Sequence, residues 1–422
     1  MERRNKELFT IFDAQKAISP TAFTTMLKPA GSTCNLDCSY CYYLDKAIQY
    51  AGRQAVMSDE LLEQYVKQYI EANDVDEVTF CWHGGEPTLL GVDYYRKAVK
   101  LQKKYAAGKK IFNTIQTNGT MIDEKWCNFF VENGFLVGIS LDGPEDIHDG
   151  FRHTKAGRPT FAKVMQTVKM FKARGVEFNT LSVVNSRCEG RGKEVYKFFR
   201  DVVGSRYMQF LPAVEHVVDR PDFHRPVIVA PDVEGARLAP WSVSAEGYGR
   251  FLCDIFDEWV TNDVGQTYVQ LFDTTLALWC GARPGVCSMG ETCGDALVVE
   301  HNGDVYPCDH FVYPQYLLGN IRDTHLKDMY NSHGRLAFGL EKRNGLTAEC
   351  FSCRYHFACH GECPKHRFIT GPDGGRKNAL CEGLKMFFEH VDPYMEYMKE
   401  RLSQRQAPAW VMPFARNRMG IM

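Results

Sequence analysis

The chain has 422 residues, of which 45% are hydrophobic and 24% are charged. These fractions lie close to the averages of folded globular proteins, so they exclude a disordered or fibrous chain. Its 50 Lys and Arg residues nearly balance its 52 Asp and Glu residues, and without a long run of one charge we expect neither a nucleic acid nor a membrane as a partner.

The hydropathy of the chain and its N-terminal segment point to a reducing compartment, and this guides the interpretation of the cysteines. No run of about 18 apolar residues occurs, and no apolar segment follows the basic start of the chain, so neither a membrane span nor a signal peptide is expected. We therefore expect a cytoplasmic protein. In that compartment its 16 cysteines should not form disulfides, which leaves metal ligation, redox chemistry or burial in the core.

Short β-rich runs alternate with helical patterns between residues 22 and 262, which predicts βα units and a mainly parallel sheet. The predicted strands are 22–27, 77–82, 110–116, 135–141, 176–184 and 206–212. The predicted helices are 59–72, 93–105, 123–133, 160–174, 191–202 and 245–262. Six repeats suit a partial, TIM-like (β/α)6 barrel or a doubly wound sheet, and in both the loops after the strands carry the chemistry.

The composition predicts four regions along the chain. Residues 1–21 form an N-terminal segment, and residues 22–262 form the α/β barrel. Within the barrel, residues 213–243 are rich in proline and lack periodicity, which indicates an insertion over the barrel mouth. Residues 263–385 are rich in cysteine and glycine and are expected to form a second domain, and residues 386–422 form a tail that begins as a helix.

Three cysteines, Cys34, Cys38 and Cys41, follow the first predicted strand in the segment CNLDCSYC. Zinc sites usually have four ligands, whereas this group offers three thiolates and no nearby histidine. A [4Fe-4S] cluster held by three cysteines keeps one iron free to bind a small molecule, as a catalytic cluster requires. The alternative is a set of buried or redox-active thiols.

With Tyr40 before its last cysteine, this C-x3-C-x2-C segment resembles the cluster motif of the radical S-adenosylmethionine superfamily. The resemblance implies that the amino and carboxylate groups of S-adenosylmethionine chelate the open iron. One electron from the cluster then cleaves the sulfonium to methionine and a 5′-deoxyadenosyl radical. That radical abstracts a hydrogen atom from an unactivated carbon of the substrate.

The segment HGGEP, residues 83–87, follows the second predicted strand and is similar to the GGEP motif of the same superfamily. There Gly84 and Gly85 would bring the backbone close to the cofactor, and Glu86 would receive the methionine amino group, although a simple Gly-Gly turn is the alternative. QTNG and SLDGP follow the third and fourth strands. The resemblance implies further cofactor contacts by Tyr40, Asn118, Ser140, Asp142 and Arg152. For Asn118 and Asp142, a turn residue is the alternative.

Eight more cysteines lie between residues 287 and 381 and could make two complete sets of four. Two fully ligated [4Fe-4S] clusters would suit electron transfer, whereas two zinc sites are the alternative, because four-thiolate zinc knuckles share the C-x2-C element. The spacing resembles the SPASM domain, which implies three [4Fe-4S] clusters in all. The implied inner set is Cys287, Cys293, Cys308 and Cys363, and the implied outer set, facing an external electron carrier of the flavodoxin or ferredoxin type, is Cys350, Cys353, Cys359 and Cys381.

Longer segments, among them KPAGSTCNLDCSYCYYLDK and VYPCDHFV, resemble the anaerobic sulfatase-maturating enzymes. The resemblance implies oxidation of a cysteine or serine in a nascent sulfatase, within a Cys/Ser-x-Pro-x-Arg motif, to Cα-formylglycine (3-oxoalanine). It also implies that Asp309 is the general base, with His310 more in keeping with a structural role and a turn cap as the alternative for Asp309. Tyr43 and Gln209 are implied to line the substrate pocket.

Five cysteines lie outside these sets, and two other functions are alternatives to the one implied by the resemblance. Cys81, Cys127, Cys188, Cys253 and Cys280 are expected to be buried thiols. One rival is a radical enzyme that forms thioether or carbon crosslinks on a precursor peptide. Many such enzymes carry an N-terminal peptide-recognition domain, and the presence of only about 20 residues before the first predicted strand weighs against this rival. The other rival is a zinc-stabilised binding protein, which does not explain the GGEP and strand-end motifs.

Overall fold

The computed structural model describes residues 21–50, 56–222, 225–231 and 233–421. The predicted segment 1–21 therefore lies, except for its last residue, outside the described residues. The strands are β1 (Thr24–Lys28), β2 (Glu77–Trp82), β3 (Lys110–Thr117), β4 (Phe135–Ser140), β5 (Phe178–Val184), β6 (Tyr207–Pro212), β7 (His216–Val218), β8 (Val227–Ile228), β9 (Arg237–Leu238), β10 (Tyr268–Val269), β11 (Ala296–Glu300), β12 (Asp304–Tyr306), β13 (Gly319–Asn320), β14 (Ile369–Thr370) and β15 (Arg376–Lys377).

Ten of these strands form one sheet in the order β10-β6-β5-β4-β3-β2-β1-β11-β12-β13. Neighbours are parallel from β10 to β11, and β12 and β13 add an antiparallel edge. The six predicted strands correspond to β1–β6. The predicted α/β fold with a partial parallel barrel is confirmed.

The helices cover the outer face of the sheet and fill the C-terminal region. They are α1 (Asp59–Ala72), α2 (Val92–Tyr105), α3 (Glu124–Glu132), α4 (Glu145–His148), α5 (Phe161–Arg174), α6 (Gly192–Lys197), α7 (Ala245–Asn262), α8 (Gln270–Trp279), α9 (Leu326–Tyr330), α10 (His333–Asn344), α11 (Ala348–Ser352), α12 (His356–Cys359), α13 (Cys381–Ser403) and α14 (Val411–Arg418). All six predicted barrel helices are present. The one predicted at 191–202 is α6 continued by a wider π-helical turn, Phe198–Val203.

The two faces of the sheet differ in chemistry, because side chains of a strand point alternately to opposite faces. On β2, Val78, Phe80 and Trp82 are buried beneath helices, whereas Thr79 and Cys81 face the barrel interior and are only half-buried. Strand register places polar or small residues across this interior face, namely Lys28, Cys81, Thr114, Gln116, Gly138, Asn179 and Gln209. An interior lined in this way suits a ligand rather than a packed apolar core.

The C-terminal region extends the barrel sheet at both edges. β11 pairs with β1 in parallel, from Thr24 opposite Ala296 to Lys28 opposite Glu300, and β10 pairs with β6. One apolar core runs beneath both regions and includes residues from Phe23 to Ala415. The sheet is thus continuous across the boundary predicted at residue 262.

The insertion 213–243, whose role was not evident from the sequence, forms a small sheet in which β7 pairs with β8 and β9. Its residues Ala213, Val217 and Trp241 share an apolar cluster with Cys38 and Tyr40 of the first cysteine loop. The described part of the insertion therefore covers that loop.

The C-terminal tail docks onto the barrel. Helix α13 crosses α7 where Gly383 meets Ala245 and Gly249, so closely that a Cβ on Gly383 would collide with the Ala245 carbonyl oxygen. Glycine is therefore required at this crossing. No helix in the described ranges has both the length and the apolar character needed to cross a membrane.

Candidate functional site

The first cysteine loop leaves the C-terminal end of β1 and brings Cys34, Cys38 and Cys41 into one buried region. Burial raises the pKa of Cys34 to about 11, and nearby Cys41 adds to the shift. Burial also raises the pKa values of Cys38 and Cys41. Thiolates are thus unfavourable here unless a positive charge joins them, which is what an iron-sulfur cluster would provide.

A buried ionic network supports this loop. Arg152 donates from Nε and Nη2 to the two carboxylate oxygens of Asp142, each over 3.0 Å. Tyr40 donates its hydroxyl to the same carboxylate, and the Val183 amide donates over 3.0 Å. Each oxygen of Asp142 thus accepts two hydrogen bonds, so Asp142 positions Tyr40 and Arg152. Its direct contact with a cofactor stays a prediction.

The glycines of HGGEP are explained by contact with the cysteine loop. Gly84 has φ +138°, a conformation that favours glycine. The Gly85 amide donates to the Gly31 carbonyl over 2.8 Å, and a Cβ on Gly85 would collide with the Thr33 backbone. The two loops therefore meet along their backbones immediately before Cys34.

Glu86 is fully buried and stabilises the same junction. Its Oε1 accepts hydrogen bonds from the Thr88 amide over 3.0 Å and the Thr117 hydroxyl over 2.7 Å. Its Oε2 accepts one hydrogen bond, from the Asn118 amide over 2.7 Å. Burial raises the pKa of Glu86. Oε2 retains capacity for one more donor, such as the amino group predicted for it.

Asn118 and Ser140, at the ends of two further strands, face the same region. The Asn118 side-chain amide donates to Asn35 over 2.9 Å and lies 3.7 Å from the Cys34 sulfur. The Ser140 hydroxyl accepts a hydrogen bond from the Gln116 side chain over 2.9 Å. The strand-end motifs therefore converge on the cysteine loop, and their contacts with a cofactor stay predictions.

Asp309 begins a short helical turn, Asp309–Phe311, directly after Cys308. Its Oδ2 accepts a hydrogen bond from the Tyr42 hydroxyl over 2.5 Å and lies 3.7 Å from the Lys28 ammonium. That ammonium lies 3.0 Å from Nδ1 of His83. The contacts place Asp309 at the interior face of the barrel, because Lys28 belongs to that face.

The charge state of Asp309 follows from these neighbours. Burial would raise its pKa, but His310 and His83, which are protonated only at acidic pH, together with Lys28 and the Tyr42 hydrogen bond hold the pKa well below its usual range. Burial lowers the pKa values of both His83 and His310 to about 3, so both imidazoles are neutral near pH 7. Lys28 is therefore the adjacent cation that keeps Asp309 ionised.

Sequence inspection missed Lys28, Tyr42 and His83. Lys28 carried a signal, since a lysine on the inward-facing side of a buried strand needs a partner. Tyr42 is next to Cys41 and His83 is next to Gly84, so their positions beside motif residues also indicated that they could belong to the site.

The two predicted pocket residues lie in different environments. Tyr43 is 3% exposed and donates its hydroxyl to Glu300, and the Lys28 ammonium lies 4.2 Å from the centre of its ring. Gln209 lines a cavity of about 1060 Å³ beside Asn179 and Asp273. Only Gln209 therefore faces an open space large enough for a peptide segment, and a substrate contact by either residue stays a prediction.

The later cysteines gather in two places. In the inner set, burial raises the pKa of Cys308, and its neighbours Asp309, Cys363, Cys287 and Cys293 add to the shift. The outer set lines one cavity, which contains Cys350, Cys353, Cys359 and Cys381. This is the grouping that the SPASM resemblance implies.

Two buried cations lie beside the inner set. Beside the inner set, the buried Lys342 donates to the Cys287 carbonyl over 2.6 Å, and the buried Arg367 lies near Cys293 and Cys363. These cations would offset the negative charge of thiolates around a multi-atom cluster.

The other cysteines only partly match the expectation of burial. Cys127 and Cys188 are buried, whereas Cys81 and Cys253 are half-buried. Cys280 is exposed, so the prediction is wrong there. The cause is its position at the end of α8, where the chain turns outward through Gly281.

A cysteine triad at the C-terminal end of a partial parallel barrel, followed by two further sets of four, defines a radical S-adenosylmethionine enzyme. The Radical SAM superfamily model matches residues 29–187, and the model of the SPASM iron-sulfur cluster-binding domain matches residues 287–354. These domains imply iron-sulfur clusters and S-adenosylmethionine as cofactors.

Curated relatives identify the family. The chain is 49% identical over 389 residues to the serine-type anaerobic sulfatase-maturating enzyme of Bacteroides thetaiotaomicron, covering 92% of this chain and 94% of that one. It is 34% identical over 393 residues to the cysteine-type enzyme of Clostridium novyi, covering 91% and 99%. The chain belongs to the anaerobic sulfatase-maturating enzymes.

A solved structure agrees with this assignment. Native anSMEcpe with bound AdoMet matches with a TM-score of 0.78 at 32% identity, covering 90% of this chain and 100% of that chain. The same enzyme with AdoMet and the Cp18Cys peptide matches with a TM-score of 0.77. Family membership overturns the zinc-stabilised binding protein as an alternative and favours formylglycine formation over crosslinking.

Proposed function

We propose that this chain oxidises the Cβ of a serine or cysteine in a sulfatase peptide to formylglycine. The observation that carries the proposal is the ionised Asp309 at the barrel interior, between Tyr42 and Lys28. It occurs in a chain 49% identical to a serine-type maturating enzyme. The substrate is a peptide carrying Cys/Ser-x-Pro-x-Arg, and its binding is supported by the relative solved with a Cp18Cys peptide.

Three [4Fe-4S] clusters would be held by the cysteine triad, the inner set and the outer set. When bound at the triad, cluster and S-adenosylmethionine supply the 5′-deoxyadenosyl radical that takes one hydrogen atom from the substrate Cβ. Glu86 would bind the methionine amino group through Oε2. Ser140 and Asn118, which lie at neighbouring strand ends, would orient the rest of the cofactor.

Formation of the aldehyde removes two electrons and two protons from the side chain. Hydrogen abstraction removes one electron with one proton, so a second electron and the hydroxyl or thiol proton remain. Asp309 accepts that proton, and its Oδ1 is free for this purpose because no described residue donates to it. From cysteine the product is a thioaldehyde, which water converts to the aldehyde with release of sulfide.

The second electron would be transferred over a short distance, because Asp309 directly follows Cys308 of the inner set. The base that would take the proton is thus adjacent in the chain to a ligand of the inner cluster, which would take the electron. From the inner set, the outer set would pass the electron to a flavodoxin- or ferredoxin-type carrier.

The experiment is an anaerobic assay of the reconstituted full chain with S-adenosylmethionine, a reductant and paired sulfatase peptides that differ only in serine or cysteine. Mass spectrometry should show aldehyde formation, with 5′-deoxyadenosine produced alongside, and the two rates rank the substrates. A peptide with alanine at the target position is the control. Deoxyadenosine formation with neither serine nor cysteine peptide changed would contradict the proposal.

A further inference from the structure

A tight turn joins the two later cysteine sets, because only three residues separate Cys359 of the outer set from Cys363 of the inner set. These residues, His360, Gly361 and Glu362, have φ angles of +44°, +72° and +49°. The left-handed conformation is unfavourable for residues other than glycine, and it persists only where the surrounding structure supports it. This linking turn therefore needs side chains that hold it.

Arg367 is one of the side chains that hold the linking turn. The residue is 3% exposed, and its Nε and Nη2 lie 3.4 Å and 3.5 Å from the carbonyl oxygens of Gly361 and Glu362. A Cβ on Gly361 would lie 3.1 Å from Nη2. Gly361 lines the cavity that contains the outer set, and Glu362 directly precedes Cys363 of the inner set. The guanidinium therefore lies between the two sets.

The charge of Arg367 has no carboxylate partner. Among the described residues, no Asp or Glu oxygen lies within 4.0 Å of its guanidinium. The Glu362 carboxylate instead accepts hydrogen bonds from His366 and Asn378, each over 2.6 Å. A guanidinium has five N–H donors, and Nη1 of Arg367 donates to no described residue. A buried cation with unused donors indicates an anionic acceptor, which the sulfur atoms of bound clusters would provide.

Cysteines of both sets lie near this guanidinium. Burial lowers the pKa of Arg367, and the charges of Cys363 and Cys293 in the inner set and of Cys350 in the outer set act against this shift. The side chain stays protonated, because a guanidinium is not deprotonated in proteins. One buried positive charge is thus shared by both sets.

Lys342 offers an internal comparison, because it lies beside the inner set alone. The residue is 1% exposed, and its ammonium donates to the carbonyls of Cys287 over 2.6 Å and Ser288 over 2.7 Å. Burial lowers the pKa of Lys342, and the three cysteines that act against this shift all belong to the inner set. The two buried cations therefore differ in which set they serve.

We propose that Arg367 stabilises a transferred electron on both the inner and the outer cluster, whereas Lys342 does so on the inner cluster alone. The electron that leaves the substrate radical would reduce the inner cluster by one, and its transfer to the outer cluster would reoxidise the inner one. A cation near one set favours the electron there, whereas a shared cation leaves the difference between the two reduction potentials nearly unchanged. Arg367 would thus make both clusters better acceptors without retaining the electron at either. This inference rests on the proposed function, because it requires both clusters.

A purely structural role for Arg367 predicts a different result. Arg367→Lys keeps the positive charge but loses the planar fork that contacts the two carbonyls of the linking turn. Arg367→Gln loses the charge. Support of the turn would therefore be impaired in both variants, whereas stabilisation of the electron would be lost in Arg367→Gln only.

The test is a redox titration of the reconstituted full chain, followed by electron paramagnetic resonance. S-adenosylmethionine, which binds at the triad, identifies the signal of the first cluster by its change, and Cys350→Ala identifies that of the outer cluster by its absence. In Arg367→Gln the equilibrium constants for reduction of both clusters should fall by about 10- to 100-fold, which is about 59 to 118 mV for one electron.

The other variants should separate charge from structure. Arg367→Lys should stay within about threefold of the unchanged protein at both clusters, because the charge is retained. Lys342→Gln should lower the equilibrium constant of the inner cluster by about tenfold and leave the outer one within about threefold. Equal losses in Arg367→Lys and Arg367→Gln, or a change at only one cluster in Arg367→Gln, would overturn the inference.

Iron analysis covers the case in which a variant does not assemble. Arg367→Met is the second neutral variant, and loss of iron in both neutral variants with retention in Arg367→Lys would show that the clusters require the charge. Loss of iron in all three variants would assign a structural role and overturn the inference. Should the unchanged chain hold clearly fewer than about twelve irons, the three clusters of the proposed function fail, which separates the two failures.

Discussion

The first cysteine loop and the outer cysteine set are built in opposite ways. The loop is covered by the insertion and supported by buried ionic groups, with Asp142 and Arg152 at most 8% exposed. Around the outer set, Lys377 pairs over 2.8 Å with Glu349, whose side chain is 56% exposed. Fixed buried charges suit precise binding of a reactive ligand, whereas adjustable surface pairs suit a passing partner protein.

The two designs also differ in what they require from the rest of the fold. The loop depends on the ends of β1–β4 meeting at one edge, so many separate segments must be correct at once. The outer set draws its four cysteines from residues 350 to 381, close together in the chain. The comparison therefore predicts that changes at the loop stop the chemistry, and that changes at the outer set slow the exit of electrons.

Replacement of one ligand in each region should give the largest effect. Cys34→Ala should abolish 5′-deoxyadenosine formation, whereas Cys350→Ala should retain it and lose multiple turnover with a protein electron carrier. Each variant should lose about four irons per chain from a total of about twelve. Chromatography of deoxyadenosine and iron analysis measure both effects, and Cys280→Ser, at an exposed cysteine, is the control. Equal loss of deoxyadenosine in both variants would remove the distinction between the regions.

Substitution of the proposed base should give the next largest effect. Asp309→Asn should lower the rate of aldehyde formation by about 100- to 10,000-fold, the usual contribution of general base catalysis. Deoxyadenosine should still form, because hydrogen abstraction precedes proton removal. Tyr42→Phe, which removes one hydrogen bond to Asp309, should cost about tenfold. A parallel loss of deoxyadenosine in Asp309→Asn would instead assign Asp309 to cofactor binding.

A substitution in the buried ionic network beneath the first cysteine loop should lower the stability of the protein. Asp142→Asn leaves the buried Arg152 charge uncompensated, so the free energy of unfolding should fall by about 3–5 kcal/mol. Denaturant unfolding of the cluster-free protein measures this change without contributions from iron. A loss below about 1 kcal/mol, the range of exposed pairs, would show that water enters the network.

Surface pairs near the outer set should show the smallest effect. Glu349→Gln should change the free energy of unfolding by about 0.5 kcal/mol or less, because exposed ion pairs contribute little. The same denaturant titration provides the measurement. A loss as large as that expected for Asp142→Asn would mean that the outer set is as rigidly supported as the loop.

Much of the barrel was predictable from sequence, and the reason is periodicity. β1–β6 are five to eight residues long, enough for alternation and turn residues to mark them. β10 and β13 have two residues each, and their pairing depends on an edge provided by distant strands. No local pattern can indicate them.

Prediction of the candidate site from sequence has the same limit, because contacts between distant segments leave no local pattern. Cysteine spacing marked the ligand sets, because ligands near in sequence must follow a regular pattern. The surroundings of Asp309 come from three segments, with Lys28 on β1, Tyr42 on the cysteine loop and His83 after β2. Asp142 looked like a turn residue or a cofactor contact, and only the folded chain shows that Val183 of β5 and Arg152 after α4 use its oxygens.

The crossing of α13 and α7 links iron to the integrity of the chain. Cys381, a member of the outer set, is the first residue of α13, and Gly383 two residues later forms the close crossing with α7. Metal binding and helix docking therefore stabilise each other. In an iron-starved cell, copies lacking the outer cluster would lose this mutual stabilisation and would become easier for proteases to degrade.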